Sequence, residues 1–209
     1  MRGALVGVMR QLAADGLNRA AAGNASARCG DHFLITPTGV LPADLEPAMI
    51  VAMRVDGTTL ESRYRPSSEW RFHAGIYDAR PEAGAVVHVH SPYATALACA
   101  RRDIPPFHYM VAVAGGANIP CVPYATFGTE ALSRHVVRGL ADRRACLLAN
   151  HGLVATGADL ARAWRLTVEV EELARQYLLA LDAGGPVLLT EEEIADALRQ
   201  FEGYGQQTG

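Results

Sequence analysis

The sequence predicts an α/β protein in which a largely antiparallel sheet is covered by helices. Three observations lead there. Half of the 209 residues are hydrophobic, ample for a sizeable core. Short apolar or alternating runs bounded by Gly, Pro and Asp-Gly read as strands, and longer runs with apolar residues at helical spacing read as helices. The two kinds mix without the regular alternation that a doubly wound parallel sheet imposes. A chain of this length fits one domain over 1–209, and it carries no internal repeat, low-complexity tract or long linker.

The elements follow in order. Residues 3–15 read as an amphipathic helix stopped at Gly16; the apolar run is too short for a signal peptide and Arg10 ends it. "AGNAS" (22–26) and "TPTGV" (36–40) read as glycine-bearing turns able to bind anions, on either side of a strand at 32–37 that Pro37 stops. Residues 49–57 form a strand running into an Asp-Gly turn, with 58–62 returning from it. "SSEWRFHAGIYDAR" (67–80) is a helix with a serine cap, and 84–90 is a strand. Pro92 opens a helix to about Ala100, and a short strand lies within 116–124. A helix at 129–140 is capped by Thr129. Residues 145–152 are a buried strand that 152–157 continues after a break. A long helix spans 159–181 with its glutamates on a solvated face, and 190–201 is a helix with a capping box from Thr190 to Glu193.

Composition narrows the function. The formal net charge is −3 and charged residues make up 20%, so neither a nucleic-acid surface nor a polyacidic partner is indicated. No run reaches the length of a membrane span. The four cysteines, at 29, 99, 121 and 146, form no Cys-x-x-Cys pair and sit among apolar neighbours, which suits buried free thiols in a reducing cytosol. Small molecules and other copies of the chain are the partners left.

The chemistry concentrates in "AVVHVH" (85–90). In a strand, residues i and i+2 share a face, so His88 and His90 stand side by side while Val87 and Val89 face the other way. Two adjacent neutral imidazoles suit a divalent transition metal; two unrelated polar positions on a solvated face would give the same pattern. His151, at the end of the strand "ACLLANH", adds a third candidate ligand, followed by Gly152, which permits a close approach of backbone. Three histidines with an open position describe the catalytic type of zinc site, whereas structural sites are closed by four protein ligands. Glu69 follows Ser67-Ser68 at the start of a helix, which suits an acid in the first turn and equally a cradle for phosphate. His73 lies one helical turn beyond Glu69, a spacing from which it could support the metal ligands from behind, but a structural role is the stronger expectation for it, as for His32, His108 and His135.

The order Gly-Asn-Ala-Ser, Ile-Thr-Pro-Thr-Gly, Pro-Ser-Ser-Glu, Val-His-Val-His, Asn-His-Gly resembles the class II aldolase and adducin-head family. The likeness runs from about residue 15 to the "YG" at 204–205, and "PSSEWRFH" (66–73), "HYMVAVAGGANIPCVPYATFGT" (108–129) and "HGLVA" (151–155) are similar to its sugar-phosphate aldolase branch. The resemblance implies a three-layer α/β/α sandwich. It implies Zn²⁺, or another divalent transition metal, held by His88, His90 and His151, with Glu69 as a ligand that moves off to act as base. It implies a phosphate site at Asn24, Thr38, Gly39, Ser67 and Ser68, a proton donor in Tyr109, and an aldehyde pocket bordered by Phe127 and Tyr204. It further implies a cytoplasmic homotetramer with sites between subunits, Tyr109 and Phe127 coming from a neighbouring chain.

The implied reaction is reversible cleavage of a ketose 1-phosphate, of the L-fuculose 1-phosphate kind, to dihydroxyacetone phosphate and a small aldehyde such as L-lactaldehyde. All nineteen basic residues are arginine, so no lysine is present for a Schiff base, which independently disfavours the class I mechanism. Other activities on the same scaffold share the metal and phosphate groups: a pentulose-phosphate 4-epimerase, a methylthioribulose-phosphate dehydratase, a 5-deoxyribulose-1-phosphate aldolase. A non-catalytic, adducin-like interaction module would lack the metal ligands, and all four candidates are present here. Two departures bear on the substrate: Ala21 stands where the aldolase branch has a phosphate-binding threonine, and "SPYATALA" (91–98) differs from that branch.

Overall fold

The computed structural model describes residues 1–60 and 62–203. Among them are seven strands: β1 (Asn24–Cys29), β2 (His32–Ile35), β3 (Val51–Met53), β4 (Ala85–Val89), β5 (Cys121–Val122), β6 (Ala145–Leu148) and β7 (Gly152–Gly157). They form one sheet in the order β3-β2-β1-β4-β7-β6-β5. Its pairs are antiparallel except β5 with β6, so the expected sheet type holds. The helices are α1 (Arg2–Ala14), α2 (Trp70–Ala79), α3 (Pro92–Cys99), α4 (Glu130–Gly139), α5 (Leu160–Asp182) and α6 (Glu191–Gly203), with 3-10 turns at Pro47–Met49 and Tyr109–Ala114.

Alternation along the strands builds a core on each side of the sheet. Ala85, Val87 and Val89 of β4 pack with Leu5 and Leu12 of α1, Leu97 of α3 and Val170 of α5. Val86, with Val154 of β7, packs on the opposite side with Phe72 and Ile76 of α2 and Leu132 and Val136 of α4. Helices thus cover both faces, giving the three-layer α/β/α sandwich. His88, 0% exposed, shares the α2 side with Val86, as the period of two requires. Caps hold where the sequence placed them: Thr129 Oγ1 accepts from the Leu132 N–H, and Thr190 and Glu193 form both bonds of the capping box.

Five local readings differ. Residues 24–26 begin β1, a strand inside the sheet, rather than a turn; Asn-Ala-Ser-Ala-Arg-Cys lacks β-branched residues, and pairing with β2 on one side and β4 on the other overrides that propensity. β7 does not continue β6. The chain reverses through Ala149–His151, with Asn150 at φ 56, and pairs Leu148 with Gly152. After β3 the Asp-Gly turn forms, and the described residues of the returning segment pair with β3 through a bridge from Thr59 to Met53 rather than as a strand. Helix α2 starts at Trp70 with Glu69 in the cap position, and Ser67 instead accepts from the Glu69 N–H. Of the four free cysteines only Cys146 is buried; Cys29 and Cys121 are half-buried and Cys99 is exposed. No helix among the described residues is long and apolar enough to cross a membrane.

Candidate active site

Three elements deliver four side chains to one point. β4 carries His88 and, one residue past its end, His90; the β6–β7 turn carries His151; the cap of α2 carries Glu69. One ligand atom from each lies within 4.8 Å of all the others. The three imidazoles are mutually tilted by 72–76° with centroids 4.8–4.9 Å apart, like the blades of a propeller. Glu69 Oε2 lies 3.1 Å from His88 Nε2, and Oε1 lies 3.3 Å from His151 Nε2. The register that brings β7 to β4 makes this possible at Gly152, where a Cβ would stand 2.4 Å from the Val89 carbonyl oxygen.

The donor set fits a cation. His88 Nδ1 donates to the Leu153 carbonyl oxygen at 2.9 Å, which leaves the lone pair of its neutral form on Nε2. That nitrogen faces His90 Nε2 at 3.0 Å. Two lone pairs at this distance repel unless a proton or a metal ion lies between them. Glu69 Oε1 is buried without a hydrogen-bond partner, an orphaned oxygen at the centre of the cluster. Burial opposes the charge on Glu69, but His88, His151 and a hydrogen bond from Asn24 outweigh it and hold the carboxyl below the usual range. Burial likewise opposes the charge on His88, and the Glu69 carboxylate reverses it, raising that imidazole. Burial and the neighbouring His88 charge push His90 and His151 down to about 4. The site is therefore built for a divalent metal ion, which would displace a proton from it.

Glu69, His90 and His151 of the cluster face a cleft of about 330 Å³. Asn24, Thr38, Gly39, Ser67 and Ser68 line it together with Glu69, His90 and His151. The glycine at 39 has φ 71 and the helix α2 begins just beyond the serines.

Residues 3–178 match the model of the family described as class II aldolase and adducin N-terminal domain. The chain belongs to that family. It is 50% identical over 205 residues to the 5-methylthioribulose-1-phosphate/5-deoxyribulose-1-phosphate aldolase of Rhodospirillum rubrum, covering 98% of this chain and 92% of that one. It is 49% identical over 191 residues to the L-fuculose phosphate aldolase of Escherichia coli K12, covering 91% and 88%. A solved structure titled L-fuculose 1-phosphate aldolase superposes with a TM-score of 0.93 at 36% identity, covering 96% and 95%. The expectation of a class II aldehyde-lyase is borne out by this membership and by relatives named as aldolases.

Within this class II aldolase fold the remaining expected residues divide. Phe127 is 63% exposed and lines the cleft of its own chain. Its position follows from the loop before α4, which runs past Ser68: a Cβ on Gly128 would stand 2.8 Å from the Ser68 carbonyl oxygen. Tyr109 does not line the cleft. It is 54% exposed at the start of a 3-10 turn and stacks at 6.2 Å on Phe201 of α6. Tyr204 lies outside the described residues.

Several residues at the site escaped the sequence reading. Tyr124 and Asn150 also line the cleft. Asn18 Oδ1 accepts from the His90 N–H at 3.4 Å. Glu171 is no part of a solvated face: it is buried, and accepts from Ser91 Oγ and from the N–H groups of Tyr93 and Ala94. It thereby caps α3 and ties down the turn that follows His90. Its signal was available, since Glu171 sits four residues after buried Thr167 and one after buried Val170, on the inward stripe of α5.

Proposed function

We propose that the protein is a zinc-dependent aldolase that reversibly cleaves a ketose 1-phosphate to dihydroxyacetone phosphate and a small aldehyde. The observation that carries this reading is one cleft lined both by Glu69, His90 and His151 of the four-residue cluster and by the neutral anion donors Thr38, Gly39, Ser67 and Ser68. Three imidazoles and a carboxylate suit Zn²⁺. When bound, the ion would supply Lewis-acid stabilisation of the negative charge that develops on the three-carbon fragment.

The chain's own residues supply the rest. Thr38, Ser67, Ser68, Asn24 and the Gly39 backbone hold the phosphate as hydrogen-bond donors, with the start of α2 adding a favourable partial charge. Cleavage removes a proton from the C4 hydroxyl, breaks C3–C4 and returns a proton to C3. Tyr109 accepts the first proton, and Glu69, as the acid, gives the second; synthesis runs both transfers backwards. Tyr109 would reach the reaction from a neighbouring copy, in a homotetramer with shared sites. What supports sharing is that Tyr109 is exposed and absent from its own cleft. Phe127 borders the aldehyde, and Tyr204 is assigned there by family resemblance alone. A single catalytic domain working in the cytoplasm fits the four free thiols.

The substrate favoured by the family pieces is L-fuculose 1-phosphate, releasing L-lactaldehyde. A second reading has its own support: the Rhodospirillum relative covers 98% of this chain, and Tyr124, Ala125 and Phe127 give the cleft an apolar edge. A 5-deoxy- or 5-methylthio-ribulose 1-phosphate would place its apolar C5 substituent there, releasing acetaldehyde or its methylthio derivative. A panel of ketose 1-phosphates, with dihydroxyacetone phosphate as readout, separates the two by kcat/KM; no cleavage of any member would sink the aldolase assignment. Roles are tested by proton exchange. In metal-loaded variants, Glu69→Gln should abolish both cleavage and solvent hydrogen exchange into dihydroxyacetone phosphate, whereas Tyr109→Phe should lose most cleavage and keep substantial exchange. Equal losses in the tyrosine variant would remove Tyr109 from the aldehyde side.

A further inference from the structure

A hydrogen-bonded chain runs behind Glu69, and its members Tyr77, Ser26 and His73 have no part in the reaction above. Tyr77 Oη lies 2.8 Å from Ser26 Oγ, which lies 2.7 Å from His73 Nδ1. His73 Nε2 lies 2.6 Å from Asn24 Oδ1, and Asn24 Nδ2 donates to Glu69 Oε2 at 3.0 Å. All five residues are buried. They come from β1 and from α2 with its cap, so the pairing of β1 inside the sheet is what brings the chain into line.

The proton order is fixed from the Glu69 end. A carboxylate only accepts, so Asn24 turns Nδ2 to it and Oδ1 to His73, which therefore carries its proton on Nε2. Neutral imidazole then accepts at Nδ1, so the Ser26 hydroxyl donates to it and accepts in turn from Tyr77. Burial, followed by the charge of His88, pushes His73 down to about 3, which keeps it neutral as this order requires. Every donor points toward Glu69, so the bonds polarise one another in a single sense. The consequence falls on the Asn24 amide, whose two flips have nearly the same shape. One presents Nδ2 to the carboxylate; the other would set Oδ1 against Glu69 Oε2. The carboxylate favours the first, and His73 locks it, because its Nε2–H occupies Oδ1 and would meet Nδ2 in the other.

We propose that His73 is a positioning residue: through Asn24 it fixes the amide that holds Glu69 Oε2, and so sets the carboxylate toward His88 and His151. The inference rests on the reading of Glu69 as a metal-site carboxylate. The bland account is a histidine that only fills space, stacked on Phe72 at 4.6 Å. The two accounts differ in what breaking the chain does to the metal.

The test is the Zn²⁺ affinity of the metal-free full-length chain, measured by competition with a chromophoric chelator. His73→Phe keeps the stacking volume and breaks the chain; it should bind zinc about 10-fold or more weakly, the size seen when a ligand's supporting partner is lost. Glu69→Gln should be weakened at least as much. In the double variant His73→Phe should add nothing further, because its target is already gone. Losses that multiply, or wild-type affinity in His73→Phe beside a weakened Glu69→Gln, would overturn the positioning role alone. Wild-type affinity in Glu69→Gln would overturn the reading of Glu69 and the positioning role with it. If His73→Phe does not fold, Ser26→Ala carries the test. It removes the donor at Nδ1 while Asn24 Oδ1 keeps the proton on Nε2, so it should shift the Nδ1 resonance of His73 in ¹⁵N spectra and weaken zinc binding. A wild-type His73 protonated on Nδ1, or a Ser26→Ala protein with unchanged Nδ1 resonance and affinity, would refute the chain. None of these readouts depends on which ketose phosphate is cleaved.

Discussion

The two groups of residues that share the cleft are built in different ways. In the metal cluster Glu69 and His88 are 6% and 0% exposed, and each is tied to its surroundings, Glu69 through Asn24 and His88 through the Leu153 carbonyl, while His151 is half-buried and His90 reaches the surface. In the other group Thr38, Gly39, Ser68 and Phe127 are exposed and stand on loops. The difference follows from what each group must do. Converging lone pairs repel, so the scaffold must impose them before any ion arrives, and burial with fixed partners is how it does so. On the proposed function these residues are neutral donors for a phosphate, which lose little by staying wet because the substrate brings the charge. Positive charge is not what marks this cleft: among the described residues its lining holds no arginine, while a larger cavity of about 570 Å³ elsewhere is lined by Arg80, Arg144, Arg162 and Arg165. Chemistry that converges, rather than volume, distinguishes the site.

The largest effect should come from breaking the metal cluster itself. His151→Ala removes a ligand from a turn while leaving the β6–β7 pairing in place. Its zinc affinity should fall by more than the roughly 100-fold upper range for losing an outer partner, and aldol cleavage should fall with it. Metal analysis and circular dichroism of the purified variant check this. A native-like His151→Ala protein with full metal content would break the contrast drawn here, because the cluster would then not depend on convergence.

The same contrast governs what could be read from the sequence. His88 and His90 were legible because a period of two needs no tertiary knowledge, and Thr129 and Thr190 were legible because capping is local. Asn24 and Ser26 were legible as polar residues beside a glycine but not as strand residues; their strand state exists only because β2 and β4 flank them. His73 was set aside as structural because its partners, Ser26 and Asn24, lie 47 and 49 residues away. Ser67 was read as a helix cap, whereas the helix starts later and leaves its hydroxyl beside the Glu69 N–H. Long-range pairing, not local propensity, carries what was missed.

A middle-sized effect measures the cost of burying the support behind the metal cluster. His73 is neutral in the fold down to about pH 3, against 6.5 for an ordinary histidine. Between those values the unfolded chain binds a proton that the folded chain does not. Stability from this group is therefore complete at neutral pH and falls as the pH is lowered through that window. In denaturant titrations of the metal-free protein, the wild type should lose about 2 kcal/mol more than His73→Phe between pH 7 and pH 5. Parallel losses would mean that the imidazole takes up its proton in the fold, contrary to the order deduced for its hydrogen bonds.

The smallest effect sharpens the comparison at the boundary between the two groups, where Ser67 and Ser68 are adjacent but unlike. Ser68 is exposed, while Ser67 is 4% exposed and its Oγ accepts from the Glu69 N–H at 3.3 Å. That bond uses a lone pair of Ser67 and leaves its hydroxyl proton for an anion in the cleft. Ser68→Ala then removes only a phosphate donor. It should weaken dihydroxyacetone phosphate about 10-fold, the usual worth of a hydrogen bond to a charged group, leave unphosphorylated dihydroxyacetone unchanged, and raise KM without lowering kcat. Ser67→Ala removes a similar donor and also frees the backbone that carries Glu69. Its KM should rise by a similar factor, and its kcat should fall as well, because the carboxylate loses part of its support. If Ser68→Ala lowered kcat as much as Ser67→Ala did, the rim would be as rigidly coupled to the chemistry as the metal cluster. If neither variant distinguished the phosphorylated ligand from its unphosphorylated analogue, the serines would not be holding the phosphate.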